Sequence, residues 1–523
     1  CMFCHNAYPE IPVGADRADR AFRFPAELPH GIGCQRCHGP GARHIEQAAR
    51  EEPRDEDVRA RIYNPGRASL TEREQLCASC HLQPESMVGE LLTTRFDVPE
   101  FSLRPGQPLE QHRVYLDHGA AAERSERFQV NHHGYRLRQS RCYTVSGKLT
   151  CVTCHDPHRK VAAAERPAFY RAKCAGCHRP TDCRGPGMSD SNKAAASDCV
   201  ACHMPTRRPI DVVLAKVTDH RIARRRPGGG AEAAPPTESM PDPRGHTAHP
   251  LFPGSNDPQL RLFELLAFLP SEPAKTRRQL RDEFLSSRPH GIDAYLRVGR
   301  ALLLDDDPSL ALGVLHEAVE KFPNDAATHW ALGDALLAAA QIDPAMAALQ
   351  KARRMAPDHP GILRSHAEAH SKRGAWPLAV ADYARSLELR EDDRLTLQGY
   401  AEALIKTGKS EQARHTLLRV FAMNPSDEYS AIMAARLAGL DGQYSEQMRI
   451  LRQASTHLPE ITLHWIGELL TSPDARSRDP ATALRLAEGL QTSGTHRKSA
   501  RLAIAFAALF TEAEGDHASR LRA

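Results

Sequence analysis

The chain has 523 residues, with 69 Lys and Arg against 65 Asp and Glu, a formal charge of +4. That length accommodates roughly two to four domains. Its longest apolar stretches lie within residues 330–349 and are broken by Asp334 and Asp343, so no run reaches the roughly 18 unbroken apolar residues of a membrane-spanning helix.

Cysteine usage divides the chain. Of 14 Cys, twelve fall in six Cys-x-x-Cys-His motifs, and none follows Cys202. In chain order the motifs are Cys1-Met-Phe-Cys4-His5, Cys34-Gln-Arg-Cys37-His38, Cys77-Ala-Ser-Cys80-His81, Cys151-Val-Thr-Cys154-His155, Cys174-Ala-Gly-Cys177-His178 and Cys199-Val-Ala-Cys202-His203. This spacing reads as c-type haem attachment. Two thiols three residues apart on a helical turn reach the two vinyl groups of one porphyrin, and the next residue offers an imidazole nitrogen to the iron. A structural zinc protein would need ligands in groups of four, and six equivalent Cys-x-x-Cys-His units do not divide that way. The expectation is six covalently held haem c groups (heme c) on residues 1–226. Because such thioethers are made outside the cytoplasmic membrane, it places the chain in the periplasm or the extracellular space. No initiator Met or signal peptide precedes Cys1. Missing upstream sequence is therefore expected. A lipid anchor on Cys1 is not, since one sulfur cannot carry both a lipid and a haem.

Each iron with one His needs a second axial ligand or stays open. Residues 1–226 hold eight further His, at 30, 44, 112, 118, 132, 133, 158 and 220, but only four Met. The supply points to bis-His ligation and low potentials. His44, His158 and His220 stand out. His44 and His158 lie too close behind a motif to turn back onto its own iron, and can reach a neighbour's. His30, His118 and the pair His132/His133 are the remaining candidates, with His132 chosen from that pair. His112 reads as a loop residue.

The segments His38-Gly-Pro-Gly-Ala-Arg-His44, Leu149-Thr-Cys-Val-Thr-Cys-His-Asp-Pro-His158, Cys202-His-Met-Pro205 and Val217-Thr-Asp-His220 resemble the multihaem cytochromes related to hydroxylamine oxidoreductase and pentahaem nitrite reductase. More closely, they resemble bacterial proteins fusing such a domain to tetratricopeptide repeats. The resemblance implies that His44, His158 and His220 are distal ligands to neighbouring haems, and that the haems stack in pairs. It does not carry an activity over. No Cys-x-x-Cys-Lys occurs, and spacing cannot assign Tyr143 or Tyr170 a cross-link to haem.

Residues 1–226 carry 35 Lys and Arg against 27 Asp and Glu. The excess, mostly Arg, matches the propionates of six haems, which Arg pairs in bidentate fashion, and no nucleic-acid partner is expected. Short helices are expected around the motifs. The motif-free stretch from Leu82 to Arg141, with turn signals at 104–106, reads as a hairpin-containing cover. Cys142 and Cys183 are left over and are candidates to pair in an oxidising compartment.

Residues 227–257, rich in Pro, Gly and Ala, read as a linker or strap, with His246 and His249 not counted as ligands. Then a 34-residue period appears. Pro289, Pro323, Pro357, Pro425 and Pro459 share one grid position, broken only by Glu391. Ala311, Ala345, Ala379 and Ala413 share another. Leu315, Leu349, Tyr383, Leu417 and Leu451 occupy a third, and Gly299, Gly333, Ala367, Ala401 and Ala435 a fourth. This is the signature of tetratricopeptide repeats, clear over 292–459 within a solenoid spanning 258–523.

The fold class expected is mainly α: a haem-cored domain with little regular structure, followed by an α-solenoid. The function expected is electron relay between redox partner proteins, with the repeats docking a partner or building a homo-oligomer or filament. The chain then reads as a carrier rather than a catalyst. The alternative is an oxidoreductase acting on a small nitrogen or sulfur compound at one open iron, and a haem-dependent sensor is the third possibility.

Overall fold

The computed structural model describes residues 31–82, 92–118, 127–179, 198–212, 214–223, 248–250, 257–269, 273–303, 308–493 and 503–504. The first motif (Cys1, Cys4, His5), His30 and Cys183 lie outside the described residues, as does the side chain of His118. The chain divides into two compact units, Cys1–Val314 and Leu315–Ala523.

In the first unit, short helices surround the motifs as expected: α1 (Gln35–His38), α2 (Ala42–Ala48), α3 (Asp55–Ala60) and α4 (Leu70–His81). Helix α4 starts on a capping box, in which Ser69 accepts from the Glu72 amide and Glu72 accepts from the Ser69 amide, satisfying two otherwise unpaired donors. The stretch after Leu82 forms β1 (Leu92–Thr94) and β2 (Arg113–His118), paired antiparallel with Leu92 opposite Tyr115. Then follow α5 (His133–Arg138), α6 (Arg141–Ser146), α7 (Cys151–Cys154), α8 (Arg166–Ala175) and α9 (Cys199–His203). A two-stranded ribbon of β3 (Thr206–Arg207) and β4 (Val217–Thr218) closes this part.

The Pro- and Gly-rich strap contributes β5 (Ala248–Pro250), which pairs antiparallel with β2 and makes it the centre of a three-stranded sheet. Val114, Tyr115 and Leu116 on β2 are accordingly all buried. Beyond residue 258, α10 (Leu260–Phe268), α11 (Pro273–Ser287) and α12 (Ile292–Leu302) belong to this same unit. The physical reason is an aromatic and cationic clasp. Phe96, just after β1, stacks on Phe263 of α10 with ring centres 4.3 Å apart. Arg297 of α12 lies over both rings and donates to the Thr94 carbonyl and the Thr93 hydroxyl, each at 2.8 Å. The compact unit thus runs past the boundary that composition suggests.

From α12 onward the helices keep the 34-residue period. After α13 (Ser309–Lys321) come the hairpins α14 (Ala326–Ala338) with α15 (Ile342–Met355), and α16 (Pro360–Lys372) with α17 (Trp376–Leu389). Next are α18 (Arg394–Lys406) with α19 (Ser410–Met423), and α20 (Glu428–Leu440) with α21 (Tyr444–Ser455). Helices α22 (Pro459–Thr471) and α23 (Pro480–Ser493) follow. The grid residues do what their sizes suggest. Ala345, Ala379 and Ala413 are fully buried, as are Leu349, Leu417 and Leu451. A Cβ on Gly333 would come within 2.5 Å of Leu349 Cγ, so only a small residue lets the two helices approach. Asp325 and Asp427, 34 × 3 residues apart, cap α14 and α20 through their side chains.

The turn inside each hairpin requires a left-handed residue. Gly374, Gly408 and Gly442 have φ of 74°, 75° and 72°, and at the same position of the first hairpin Ala340 has φ of 58°. Each turn closes with the bond pattern of a Schellman motif, such as Gln341 N–H to the Leu336 carbonyl at 2.8 Å. A Cβ in that conformation costs about 1–2 kcal/mol, against about 0.5–1 kcal/mol for the greater unfolded-state freedom of glycine. Ala340→Gly should therefore stabilise the repeats by about 0.5–1 kcal/mol, read as a higher denaturation midpoint; a lower midpoint would contradict the reading of this turn.

Candidate functional site

Each described Cys-x-x-Cys-His motif lies on, or at the end of, one helical turn. The His amide bonds the carbonyl of the first Cys, as from His38 to Cys34 at 2.9 Å, and from His155 to Cys151 and His178 to Cys174, each at 3.0 Å. That i→i−4 bond sets the two sulfurs and the imidazole in one compact group. Local caps hold the turns. Thr150 and Thr153 form a reciprocal box at α7, and the Asp198 carboxylate accepts from the Val200 and Ala201 amides at α9.

Motifs far apart in sequence meet through their thiols. Cys77 and Cys151 are hydrogen-bonded to each other, and this contact shifts both thiols away from their ordinary range. Burial, with the neighbouring Cys199 and Cys154 thiols, pushes Cys174 up to about 11. Burial first, then the Cys80 thiol, raises Cys37. No disulfide joins the ten described motif cysteines or Cys142 to one another.

The imidazoles are arranged more tellingly. His38 Nδ1 donates to the Tyr63 carbonyl at 3.0 Å, His44 Nδ1 to Val58 at 2.8 Å, His203 Nδ1 to Ala223 at 2.9 Å and His220 Nδ1 to Thr218 at 3.0 Å. A carbonyl only accepts, so Nδ1 carries a proton, and in the neutral ring Nε2 carries the lone pair. This is the orientation and tautomer expected of a metal-binding imidazole.

Rings from separate motifs also converge. His81 meets His133 with centres 5.3 Å apart, His133 meets His220 at 4.6 Å, and His220 meets His155 at 6.2 Å with 35° between planes. His38 and His158 are 5.9 Å apart at 18°. Two imidazoles on opposite sides of one metal, each about 2 Å from it, have ring centres roughly 6 Å apart. The pairs His155/His220 and His38/His158 match that spacing. Burial lowers His81, His155 and His220, and lowers His133 to about 4. These rings are therefore neutral near pH 7 and carry the lone pair a metal requires.

Not every residue singled out by sequence joins this group. His133, rather than His132, reaches His81 and His220. His132 is buried against Tyr135 with ring centres 5.2 Å apart, and burial with the Arg127 and Arg136 charges lowers it to about 3. His112 lies beside the Ser102 hydroxyl, 3.3 Å from its Nδ1, away from the imidazole group. His178 is exposed. Tyr143 donates to Glu74 at 2.7 Å, while Tyr170 lies 3.4 Å from His155 Nδ1.

One anchor was not visible from the motifs. Asp219, immediately before His220, accepts both arms of Arg136, at 2.9 and 2.7 Å, and Arg207 at 2.9 Å. Burial alone would raise its pKa, but the Arg136 and Arg207 guanidiniums hold it below the usual carboxylate range. The flanking backbone is pinned as well: Asp219 N–H donates to Pro205, and Ser140 Oγ donates to the His220 carbonyl while accepting from Ile222. Thr-Asp-His was legible as a motif, but Arg136, 83 residues away, was not.

Apolar side chains around these motifs are open to solvent, among them Ile32, Ile45, Val145, Val152 and Leu214. The donor set is thus clustered thiols, imidazoles of which some are neutral through burial and others are tied through Nδ1 to a carbonyl, and an apolar surround. It fits a covalently held macrocycle with an axially ligated metal.

In the second half the comparison with known families agrees with the geometry. A tetratricopeptide-repeat model matches residues 302–368, and the chain carries these repeats. Among solved structures it is similar to YrrB, described as a repeat protein with an unusual peptide-binding site, at 17% identity over 35% of this chain and 96% of that one, with a TM-score of 0.30. It is also similar to PilF of Pseudomonas aeruginosa, at 17% identity over 43% of this chain and 90% of that one, with a TM-score of 0.31. A thermophilic repeat protein of Thermus thermophilus is 16% identical over 35% of this chain and 100% of that one, with a TM-score of 0.28. No curated protein matches the chain. Among the described residues, no helix is long and apolar enough to cross a membrane.

Asp219→Ala would leave the buried Arg136 without its bidentate carboxylate, a change that costs about 3–5 kcal/mol for a buried pair. The expected outcome is a matching fall in the unfolding free energy of the first unit, and an unchanged denaturation midpoint would contradict the anchor.

Proposed function

We propose that this chain is an extracytoplasmic multihaem electron-transfer protein whose tetratricopeptide repeats dock a protein partner. The observation that carries the reading is the fixed tautomer of His38, His44, His203 and His220, each with Nδ1 tied to a carbonyl, in a chain with six attachment motifs.

In this reading the motif cysteines hold the porphyrins, and His5, His38, His81, His155, His178 and His203 are proximal ligands. His220 faces the site of His155 and His158 that of His38, as their ring spacings suggest. His44 and His133 serve as further distal donors. Bound haem supplies one-electron chemistry at low potential. The chain's own residues keep His81, His133, His155 and His220 neutral by burial, orient Nε2 of His38, His44, His203 and His220 through backbone carbonyls, and carry the cationic charge that pairs with propionates. An iron held by two of these imidazoles would have no position left for substrate, which favours relay over catalysis. Thioether formation outside the cytoplasmic membrane makes the periplasm or the extracellular space the working compartment. The repeats, stacked as a solenoid, offer an extended protein-binding face. Redox proteins and further copies of this chain, up to a filament, are the partner classes.

Electron paramagnetic resonance of the oxidised protein tests the assignment. Low-spin ferric signals are expected in the wild type, and His220→Ala should convert the signal of one haem to high spin. An unchanged spectrum in the variant would remove His220 as a ligand. A high-spin signal already present in the wild type would favour the oxidoreductase reading.

A further inference from the structure

We propose a divalent transition-metal site, of zinc type, within the repeats at His366, His370 and Asp382. It is independent of the motifs in the first half and of the function proposed for them.

His366 and His370 are four residues apart on α16 and so project from one face of the helix, the spacing by which paired imidazoles on a helix bind zinc. Asp382 comes from α17, the antiparallel partner in the same hairpin. One ligand atom from each of the three lies within 4.8 Å of the others. His366 Nδ1 is 2.6 Å from Asp382 Oδ2, and His370 Nε2 is 3.8 Å from the same oxygen. Donors around a tetrahedral zinc, each about 2.0–2.1 Å from it, stand about 3.3 Å apart. The two separations to Asp382 lie on either side of that value, and the three donor atoms all lie within 4.8 Å of one another. Two nitrogens and one carboxylate oxygen suit zinc rather than calcium or magnesium, which take oxygen ligands.

Burial makes this more than a surface coincidence. His366 and Asp382 are 4% and 5% exposed. The short His366–Asp382 contact is bridged by a proton on Nδ1 when no metal is bound, and a metal would replace that proton. With a metal on Nδ1 the ring proton would sit on Nε2, a buried nitrogen with no hydrogen-bond partner among the described residues, so the metal–nitrogen bond must exceed the cost of that unsatisfied N–H. His370 is the partly exposed member, with 14% of its side chain accessible, and gives an ion a route in and a fourth position to solvent.

One cation competes. Arg353 of α15 lies 2.9 Å from Asp382 Oδ1 and 3.1 Å from His366 Nδ1. Its side chain is 39% exposed, so it can withdraw into water while keeping Asp382 Oδ1 as a second-shell partner, or leave altogether. The competing account is a hydrogen-bonded His–Asp–Arg cluster that binds no metal. The two accounts differ on removing Arg353: the metal site keeps or gains zinc affinity, and the cluster binds no zinc in either form.

The test uses the full-length protein, equilibrated with zinc sulfate and dialysed, with zinc and iron counted per chain by elemental analysis and zinc affinity measured by calorimetry. Wild type should hold one zinc more than His370→Ala at equal iron content. Arg353→Gln should bind that zinc at least as tightly as wild type. Because His370 is partly exposed, its variant is expected to keep the wild-type helical circular dichroism. His366→Gln, which keeps the volume near that of the ring, gives a second reading, with affinity at least tenfold weaker. Equal zinc stoichiometry and affinity in wild type, His370→Ala and His366→Gln would overturn the proposal.

Discussion

The first half of this molecule depends on one small interaction repeated at separate places: an imidazole Nδ1–H given to a backbone carbonyl. At His38, His44, His203 and His220 that bond decides where the ring's proton sits, and therefore which nitrogen is free. Three of the carbonyls, those of Tyr63, Val58 and Ala223, lie 14 to 25 residues from the histidine in sequence, and that of Thr218 is local to His220. The folding of those distant segments is what orients the first three rings. Asp219 extends the same logic, fixing the strand end that carries His220 through two guanidiniums.

The two units are held together in different ways. The repeats follow ordinary packing rules. Alanines and glycines on one helix accept leucines from the next, and nearly every hairpin has the same left-handed turn. In the first unit, side-chain burial concentrates around the three-stranded sheet and the Phe96–Phe263–Arg297 clasp. Around the motifs, by contrast, Ile45, Val145 and Leu214 face solvent. Those side chains gain by covering large apolar rings, and each haem bound there would bury them. On this account the cofactors in the first unit do the work that leucines and alanines do in the second.

Much of this was legible in the sequence, for physical reasons that differ by region. The 34-residue period was readable because stacking demands the same residue size at the same place in every hairpin, and the helices begin on that period. Ala340 was not distinguishable from its glycine counterparts until the backbone angle was seen. The motif cysteines were readable because their Cys-x-x-Cys-His spacing is strictly repeated. The remaining histidines follow no such spacing. The choice between the adjacent His132 and His133 turns on which side of α5 faces His81 and His220, a tertiary fact. The strap at 248–250 pairs with β2 despite its composition, because an edge of the sheet offered its unpaired backbone groups. The Asp219–Arg136 pair joins residues 83 apart and leaves no local signal.

The central claim is that porphyrins are bonded to this chain through its cysteines, and intact-mass and peptide mass spectrometry test it most directly. Protein produced alongside c-type haem attachment machinery should carry six haem masses, mapped to the peptides bearing Cys1/Cys4, Cys34/Cys37, Cys77/Cys80, Cys151/Cys154, Cys174/Cys177 and Cys199/Cys202. Unmodified cysteines at those positions in folded protein would contradict the account.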